Sequence, residues 1–278
     1  MMPLTRGRRE SRRRIQPSIA LPGPIRFQNH RAGHCHDKRF ADATGIPVNE
    51  SSDLACAPLQ TKTTRQSDKV TELILIRHGE TAWNADQRIQ GHTDIALNRN
   101  GLAQAAAIGK RFENDALDVL ISSDLQRAMQ TMAPIAEGRN LPVLPDQRLR
   151  ERHLGILQGK SREQAQRDMP RVYDVFRSRL PDAELEGGES LNTFAARVID
   201  VLGELTETHR NKRIVAVTHG GVLDIAYRHA TGTTLEAART FTIHNASINT
   251  FRVEGSRLVL VDWGDISHLP DNLAMDEI

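Results

Sequence analysis

Three short segments carry residue types that could do chemistry together, and each stands at the end of an apolar run. Arg77-His78-Gly79-Glu80-Thr81 follows Glu72-Leu73-Ile74-Leu75-Ile76; Ser122-Ser123-Asp124, with Arg127 one turn on, follows Leu117-Asp118-Val119-Leu120-Ile121; Thr218-His219-Gly220-Gly221 follows Arg213-Ile214-Val215-Ala216-Val217. In open α/β sheets, ligands bind beyond the carboxyl ends of the strands. If the three runs are neighbouring parallel strands, two histidines and two arginines converge on one crevice. Glycine-bearing helix starts, Gly220 among them, would then turn free N–H groups toward an anion.

Any one of these residues alone reads as structural: a histidine after a strand usually serves a hydrogen bond, and an arginine near a helix start is usually a solvated charge. Together they fit one reaction. Transfer of a dianionic phosphoryl group needs cations around the non-bridging oxygens, an in-line nucleophile and an acid for the leaving oxygen. Neutral His78 would be the nucleophile and form a phosphohistidine. Arg77 and Arg127 would clamp the oxygens, and His219, held protonated by the phosphate, would stabilise developing charge. The acid must come from elsewhere, and Glu151, within Leu149-Arg150-Glu151-Arg152-His153-Leu154-Gly155, is the best candidate. Composition alone would favour a surface salt bridge with Arg150 or Arg152 for it.

The elements that must position these residues are visible as periodicity. Residues 98–113 predict a helix with Leu102, Ala105, Ala106, Ile108 and Phe112 on its inner face. Ser123 and Gln126 predict a capping box for a helix reaching about residue 137, with Leu125, Ala128, Met129, Met132 and Ile135 at helical spacing. The longest helix is expected over 190–209, burying Leu191, Phe194, Ala195, Val198, Leu202 and Leu205; another covers 220–230. A hairpin turning near Glu254-Gly255 closes the chain. Strands alternating with helices predict an α/β three-layer sandwich, a mostly parallel central sheet with helices on both faces.

The segment Leu75-Ile76-Arg77-His78-Gly79-Glu80-Thr81-Ala82-Trp83-Asn84 resembles the signature of the histidine phosphatase superfamily, the phosphoglycerate mutase-like enzymes. The resemblance continues in order through Gln90-Gly91-His92-Thr93-Asp94, Ser122–Ala128, Glu151–Gly155, Gly187-Gly188-Glu189-Ser190 and Thr218–Gly221. It spans about 72–268. It implies a phosphoglycerate mutase-like fold, His78 as the phosphorylated nucleophile, Glu151 as proton donor and acceptor, and Arg77, Arg127 and His219 as the phosphate pocket. Asn84 matches a phosphate-contacting position, and Thr81, Gln90 and Gly91 match positions on the substrate side. No metal or cofactor is called for, since arginines and a histidinium supply the positive charge.

Phosphatase and mutase differ, as the family is known, in an insertion after the Glu block that holds a second phosphate. Here residues 152–188 leave room for two short helices and, although they include Arg162, Arg167, Arg171, Arg177 and Arg179, they lack a paired-arginine signature. The expected function is therefore a phosphomonoester hydrolase acting on a small phosphorylated metabolite. The alternatives are a cofactor-dependent phosphoglycerate mutase and a non-catalytic phospho-ligand-binding protein on the same fold. Nothing in 157–186 reads as a base-, sugar- or acid-specific motif.

Charge divides the 278 residues unevenly. Residues 1–69 hold 13 Lys and Arg against 6 Asp and Glu, whereas the rest holds 24 against 29. The basic stretch, with an arginine run at 6–14 and frequent proline, is expected to be a disordered N-terminal extension, leaving 70–278 as the histidine phosphatase domain. The run admits a nucleic-acid arm or a transit peptide, but no aromatic residues interleave with it to stack bases; Gly33-His34-Cys35-His36-Asp37 lacks a second cluster at zinc spacing. No stretch approaches the roughly 18 apolar residues of a membrane span. Both cysteines, Cys35 and Cys56, lie in the extension, which suits a cytoplasmic setting. The expected partner is a small phosphorylated substrate, without membrane or nucleic acid; the assembly is left open, a homodimer being one option.

Overall fold

The computed structural model describes residues 70–270. The readings of the basic extension, its two cysteines and residues 33–37 lie outside the described residues.

The chain runs β1 (Glu72–Arg77), α1 (Ala82–Ala85), α2 (Arg99–Phe112), β2 (Val119–Ser122), α3 (Gln126–Ala136), β3 (Val143–Pro145), α4 (Arg162–Asp168), α5 (Pro170–Ser178), α6 (Leu191–Thr208), β4 (Arg213–Thr218), α7 (Gly220–Thr231), β5 (Ile248–Glu254) and β6 (Arg257–Asp265). Among the described residues the strands form one six-stranded sheet in the order β3-β2-β4-β1-β5-β6. The first four are mutually parallel, and β5 and β6 add an antiparallel edge. β1 and β4 are central, which is why ELILIR and RIVAVT are apolar on both faces.

Strand alternation sorts the core into two layers. Leu73, Leu75, Ile214 and Ala216 face α6 and α7 through Phe194, Val198, Leu202 and Leu223. Ile74, Ile76, Val215 and Val217 face α2 and α3 through Ile108, Phe112, Met132 and Ile135. The expected three-layer sandwich is thus present. A third, smaller cluster joins Leu154, Leu157, Ala165, Tyr173 and Leu185, and it carries α4 and α5 as a cap. Among the described residues no helix is long and apolar enough to cross a membrane.

Two local expectations are corrected. On α2, Leu102 (52 % exposed) and Ala106 face solvent, while Gly101, Gln104, Ala105, Ile108 and Phe112 are buried. The roll is set by a close approach to the chain leaving β1. A Cβ on Gly101 would lie 2.0 Å from the Glu80 carbonyl oxygen, and Gln104 Oε1 accepts the Glu80 N–H at 2.7 Å. A polar side chain is therefore turned inward to satisfy a backbone donor. On α3, no capping box forms. The helix begins at Gln126 after an uncapped Leu125, the Gln126 N–H is taken by Asp94 Oδ1 at 2.7 Å, and Ser123 serves the site instead.

Candidate active site

Parallel register brings the three reactive segments together. Arg77 lies opposite Thr218 and Ser122 opposite Val217, with β4 between the other two strands. The ladder runs one step further, His78 N–H to Thr218 O and Ser123 N–H to Val217 O, both at 2.9 Å. His78, His219 and Ser123 therefore leave the sheet at one level, and the two imidazole centroids are 5.1 Å apart.

His78 is 3 % exposed, with Nδ1 2.7 Å from the Gly79 carbonyl oxygen. A carbonyl only accepts, so Nδ1 carries the proton and Nε2 keeps its lone pair. Burial, reinforced by the Arg127 and Arg77 charges, holds the imidazole pKa well below its usual value. His78 thus presents a neutral, oriented imidazole with its Nε2 lone pair available.

His219 is fully buried. Its Nδ1 accepts from Arg127 Nε at 3.2 Å, so its proton sits on Nε2, which donates to Ser123 Oγ at 2.8 Å. Burial first, then Arg127 and His78, push its pKa well down. In the free site His219 is neutral, and the expected histidinium requires a bound dianion and release of the Arg127 contact.

Arg127 is a buried cation with no ion pair among the described residues. Its Nη1 and Nη2 bind the carbonyls of Thr93 and Gly91, each at 2.8 Å, leaving two of its five N–H groups for a ligand. Burial pulls its pKa down to about 10, against the opposing pull of Glu151 and Asp94. Arg77 is 2 % exposed and is tethered through Nη1 to the Ile243 carbonyl at 2.5 Å.

Both carboxylate oxygens of Glu151 are held by backbone donors. Oε2 accepts the Gly221 N–H at 2.9 Å and Oε1 the Arg152 N–H at 2.8 Å. A Cβ at position 221 would lie 2.1 Å from Oε1, so the carboxylate and the start of α7 approach only because that residue is glycine.

Arg77, His78, Arg127 and Glu151 open into one cavity of about 460 Å³, lined also by Asn84, Gln90, Gly91 and Gly221 on the sheet side and by Arg162, Tyr173, Phe176 and Arg177 from the cap. Thr81, His219 and Gly220 are not among its lining residues. Thr81 is fully buried and caps α1, exchanging hydrogen bonds with Asn84. Asn84 Oδ1 is engaged in that cap, which leaves its amide nitrogen for the cavity. The next residue, Gly221, takes the place expected of Gly220.

Against this geometry, the sequence profile of the histidine phosphatase superfamily (branch 1) matches residues 73–266. The chain belongs to the histidine phosphatase superfamily. It is 40 % identical over 204 residues to phosphoglycerate mutase-like protein 4 of Arabidopsis thaliana, covering 72 % of this chain and 87 % of that one. It is 39 % identical over 206 residues to the metal-independent phosphoserine phosphatase of the same plant, covering 72 % and 84 %. A phosphoserine phosphatase of Entamoeba histolytica, solved in complex with 3-phosphoglyceric acid, superposes with a TM-score of 0.65 at 29 % identity, covering 72 % of this chain and all of that one.

Several lining residues of this histidine phosphatase escaped the sequence reading. Tyr173 and Phe176 lie on α5, whose periodicity was too short to single out. Arg152 belongs to the Glu151–Gly155 block, where nothing in the sequence marks it as buried. It is 8 % exposed, binds the Glu189 carbonyl through Nε at 3.0 Å, and its pKa is pushed down by burial. Ser123, which is not itself a lining residue, fits a helix cap by its spacing to Gln126 but pairs with His219 instead.

Proposed function

We propose that this histidine phosphatase hydrolyses a small phosphomonoester whose alcohol carries a carboxylate, through a phosphoenzyme on His78 Nε2. The observation that carries the reading is the pairing of a neutral His78, its Nε2 lone pair free, with Arg127, a buried cation having two unused N–H groups and no carboxylate contact. A dianionic phosphoryl group supplies the missing negative charge.

In the first step the Nε2–P bond forms as the P–O bond to the alcohol breaks, and Glu151 in its acid form gives its proton to the leaving oxygen. In the second, the Glu151 carboxylate takes a proton from water as water oxygen attacks phosphorus and the Nε2–P bond breaks. Arg77, Arg127 and Asn84 hold the non-bridging oxygens, and His219 adds its charge once phosphate is bound; Gln90 and Gly91 border the alcohol.

The carboxylate assignment rests on the other end of the cavity. Arg152, Arg162 and Arg177 line it, and none makes an ion pair with another described residue. A guanidinium grips a planar carboxylate through two N–H donors. The named substrate of the Arabidopsis and Entamoeba relatives, phosphoserine, has such a group, as does the 3-phosphoglyceric acid in the Entamoeba complex. The same arginines favour a second reading, a cofactor-dependent phosphoglycerate mutase; only α4 and α5, of 7 and 9 residues, stand where that reading needs a larger insertion. A non-catalytic ligand-binding role is disfavoured by the presence of both His78 and Glu151.

Phosphoserine and 3-phosphoglycerate, the latter with and without 2,3-bisphosphoglycerate, decide among these. Release of phosphate with an acid-labile phosphoenzyme that is absent in His78→Ala is expected. Isomerisation dependent on the bisphosphate would replace the hydrolase reading, and turnover by His78→Ala would end the phosphohistidine scheme. We further read 70–278 as the catalytic domain, residues 1–69 as an extension to it, and the setting as cytoplasmic.

A further inference from the structure

We propose that Arg197, on α6, is a positioning residue that sets the height and orientation of Glu151; the proposal rests on Glu151 being the acid and base of the reaction. Glu151 stands on a backbone that belongs to no strand or α-helix. It follows a single helical turn, Gln147–Leu149, that ends at Arg150, so its carbonyls have no ladder to satisfy them.

Side chains do that work. Arg197 Nη1 donates to the carbonyls of Arg148 at 2.6 Å and Arg150 at 3.0 Å. Its Nη2 donates to that of Glu151 at 3.3 Å. Thr218 Oγ1 holds the Leu149 carbonyl at 2.8 Å, and His92 Nε2 donates to the Glu151 carbonyl at 2.7 Å. Four successive carbonyls, 148 to 151, are thus fixed by side chains, three of them by one guanidinium.

That guanidinium is itself fixed. Nε and Nη2 form a fork on the Glu189 carboxylate at 3.0 and 2.8 Å, and its carbon lies 5.0 Å from the centre of the Phe194 ring. Glu189 Oε2 also accepts the His153 N–H at 2.7 Å. Burial alone would raise the Glu189 carboxyl, but the hydrogen bonds from Arg197 and His153 outweigh it and hold the group ionised. The pair therefore brackets Glu151 from both sides in sequence, at 148–151 through Arg197 and at 153 through Glu189. A lysine keeps the charge opposite Glu189 but has no planar fork with which to span three carbonyls.

The full-length protein, Arg197→Ala, Arg197→Lys, Glu151→Gln and the Glu151→Gln/Arg197→Ala double variant are compared on phosphoserine and p-nitrophenyl phosphate. The alkyl leaving group needs a proton and the nitrophenolate needs almost none. Arg197→Ala is expected to lower kcat/KM for phosphoserine by roughly 30-fold and for p-nitrophenyl phosphate by less than about 3-fold. Arg197→Lys should recover part of the loss, and inhibition by inorganic phosphate should stay within about 2-fold of wild type. In the Glu151→Gln background the Arg197→Ala loss on phosphoserine should vanish, because the two residues act as one unit.

Equal losses on both substrates, or additive losses in the double variant, would overturn the proposal. Should Arg197→Ala fail to fold, Arg197→Lys carries the same comparison, and equal losses there overturn it too. A Glu151→Gln enzyme that does not discriminate between the substrates removes Glu151 as the acid and the proposal with it. A discriminating Glu151→Gln beside a non-discriminating Arg197→Ala removes Arg197 alone.

Discussion

The cavity has two ends built in different ways. The phosphate end hangs on the carboxyl ends of β1, β2 and β4, where parallel register continues past the strands and fixes His78, His219 and Ser123. Its arginines are almost fully buried and tied to backbone carbonyls. The cap end is carried by α4 and α5, two short helices over a small cluster of their own. Its cations are half-buried Arg162 and exposed Arg177, which reach the cavity without ion pairs among the described residues. The difference separates two tasks. Phosphoryl chemistry is the same for every ester and repays rigid placement, whereas the side chains proposed to recognise the alcohol can change without disturbing the sheet.

Substitutions can break that contrast, the most damaging at the phosphate end. Arg127→Lys should reduce kcat/KM by roughly 100- to 1000-fold on every phosphomonoester, because a point charge cannot hold two carbonyls and the phosphoryl oxygens at once. Steady-state assays on phosphoserine and p-nitrophenyl phosphate check this, and a loss confined to one of them would contradict it. Gly221→Ala should cost about 100-fold, as its Cβ falls 2.1 Å from Glu151 Oε1 and must displace the carboxylate. The loss should be larger for phosphoserine than for the activated ester.

At the cap, Arg162→Ala or Arg177→Ala should raise KM for phosphoserine by about 10-fold, near the value of one charge-assisted hydrogen bond, and leave p-nitrophenyl phosphate unchanged. A cap substitution that slowed both substrates equally would erase the distinction between the ends.

The smallest effect expected is on stability. His78 and His219 have folded pKa values pushed below the unfolded imidazole value by burial. Between the two values the unfolded chain binds more protons than the folded one, so stability rises with pH. The contribution is fully present above about 6.5 and is lost as pH falls toward the folded values. Melting temperature should therefore decline from pH 7 to pH 5, and His219→Asn should flatten the decline. A decline of unchanged steepness in that variant would assign the acid sensitivity elsewhere.

Much of this was readable before any coordinates. The alternation from Glu72 to Val261 implies the sandwich, and the runs ending at His78, Ser123 and His219, with Arg127 one turn on, imply a common crevice, because strand apolarity and parallel pairing leave few other arrangements. What went unread turned on contacts between distant residues. The roll of α2 depends on Gly101 meeting the Glu80 backbone, and the fate of Ser123 depends on His219 lying 2.8 Å away. Thr81 matches a family position on the substrate side, yet it spends its hydroxyl on the cap of α1. Arg197 carried no signal at all, since a lone arginine on an amphipathic helix is ordinarily a solvated charge.

Residue types and their order along the chain therefore determined the kind of chemistry, a phosphoryl group between histidines and arginines, and the layers that support it. Periodicity is local and survives in one dimension. Tertiary structure alone decided the tautomers of the two histidines, the glycine that Glu151 leans on, and which of the cap arginines line the cavity. Those depend on burial and on which carbonyl or carboxylate a distant segment brings within about 3 Å, distances that a sequence does not contain.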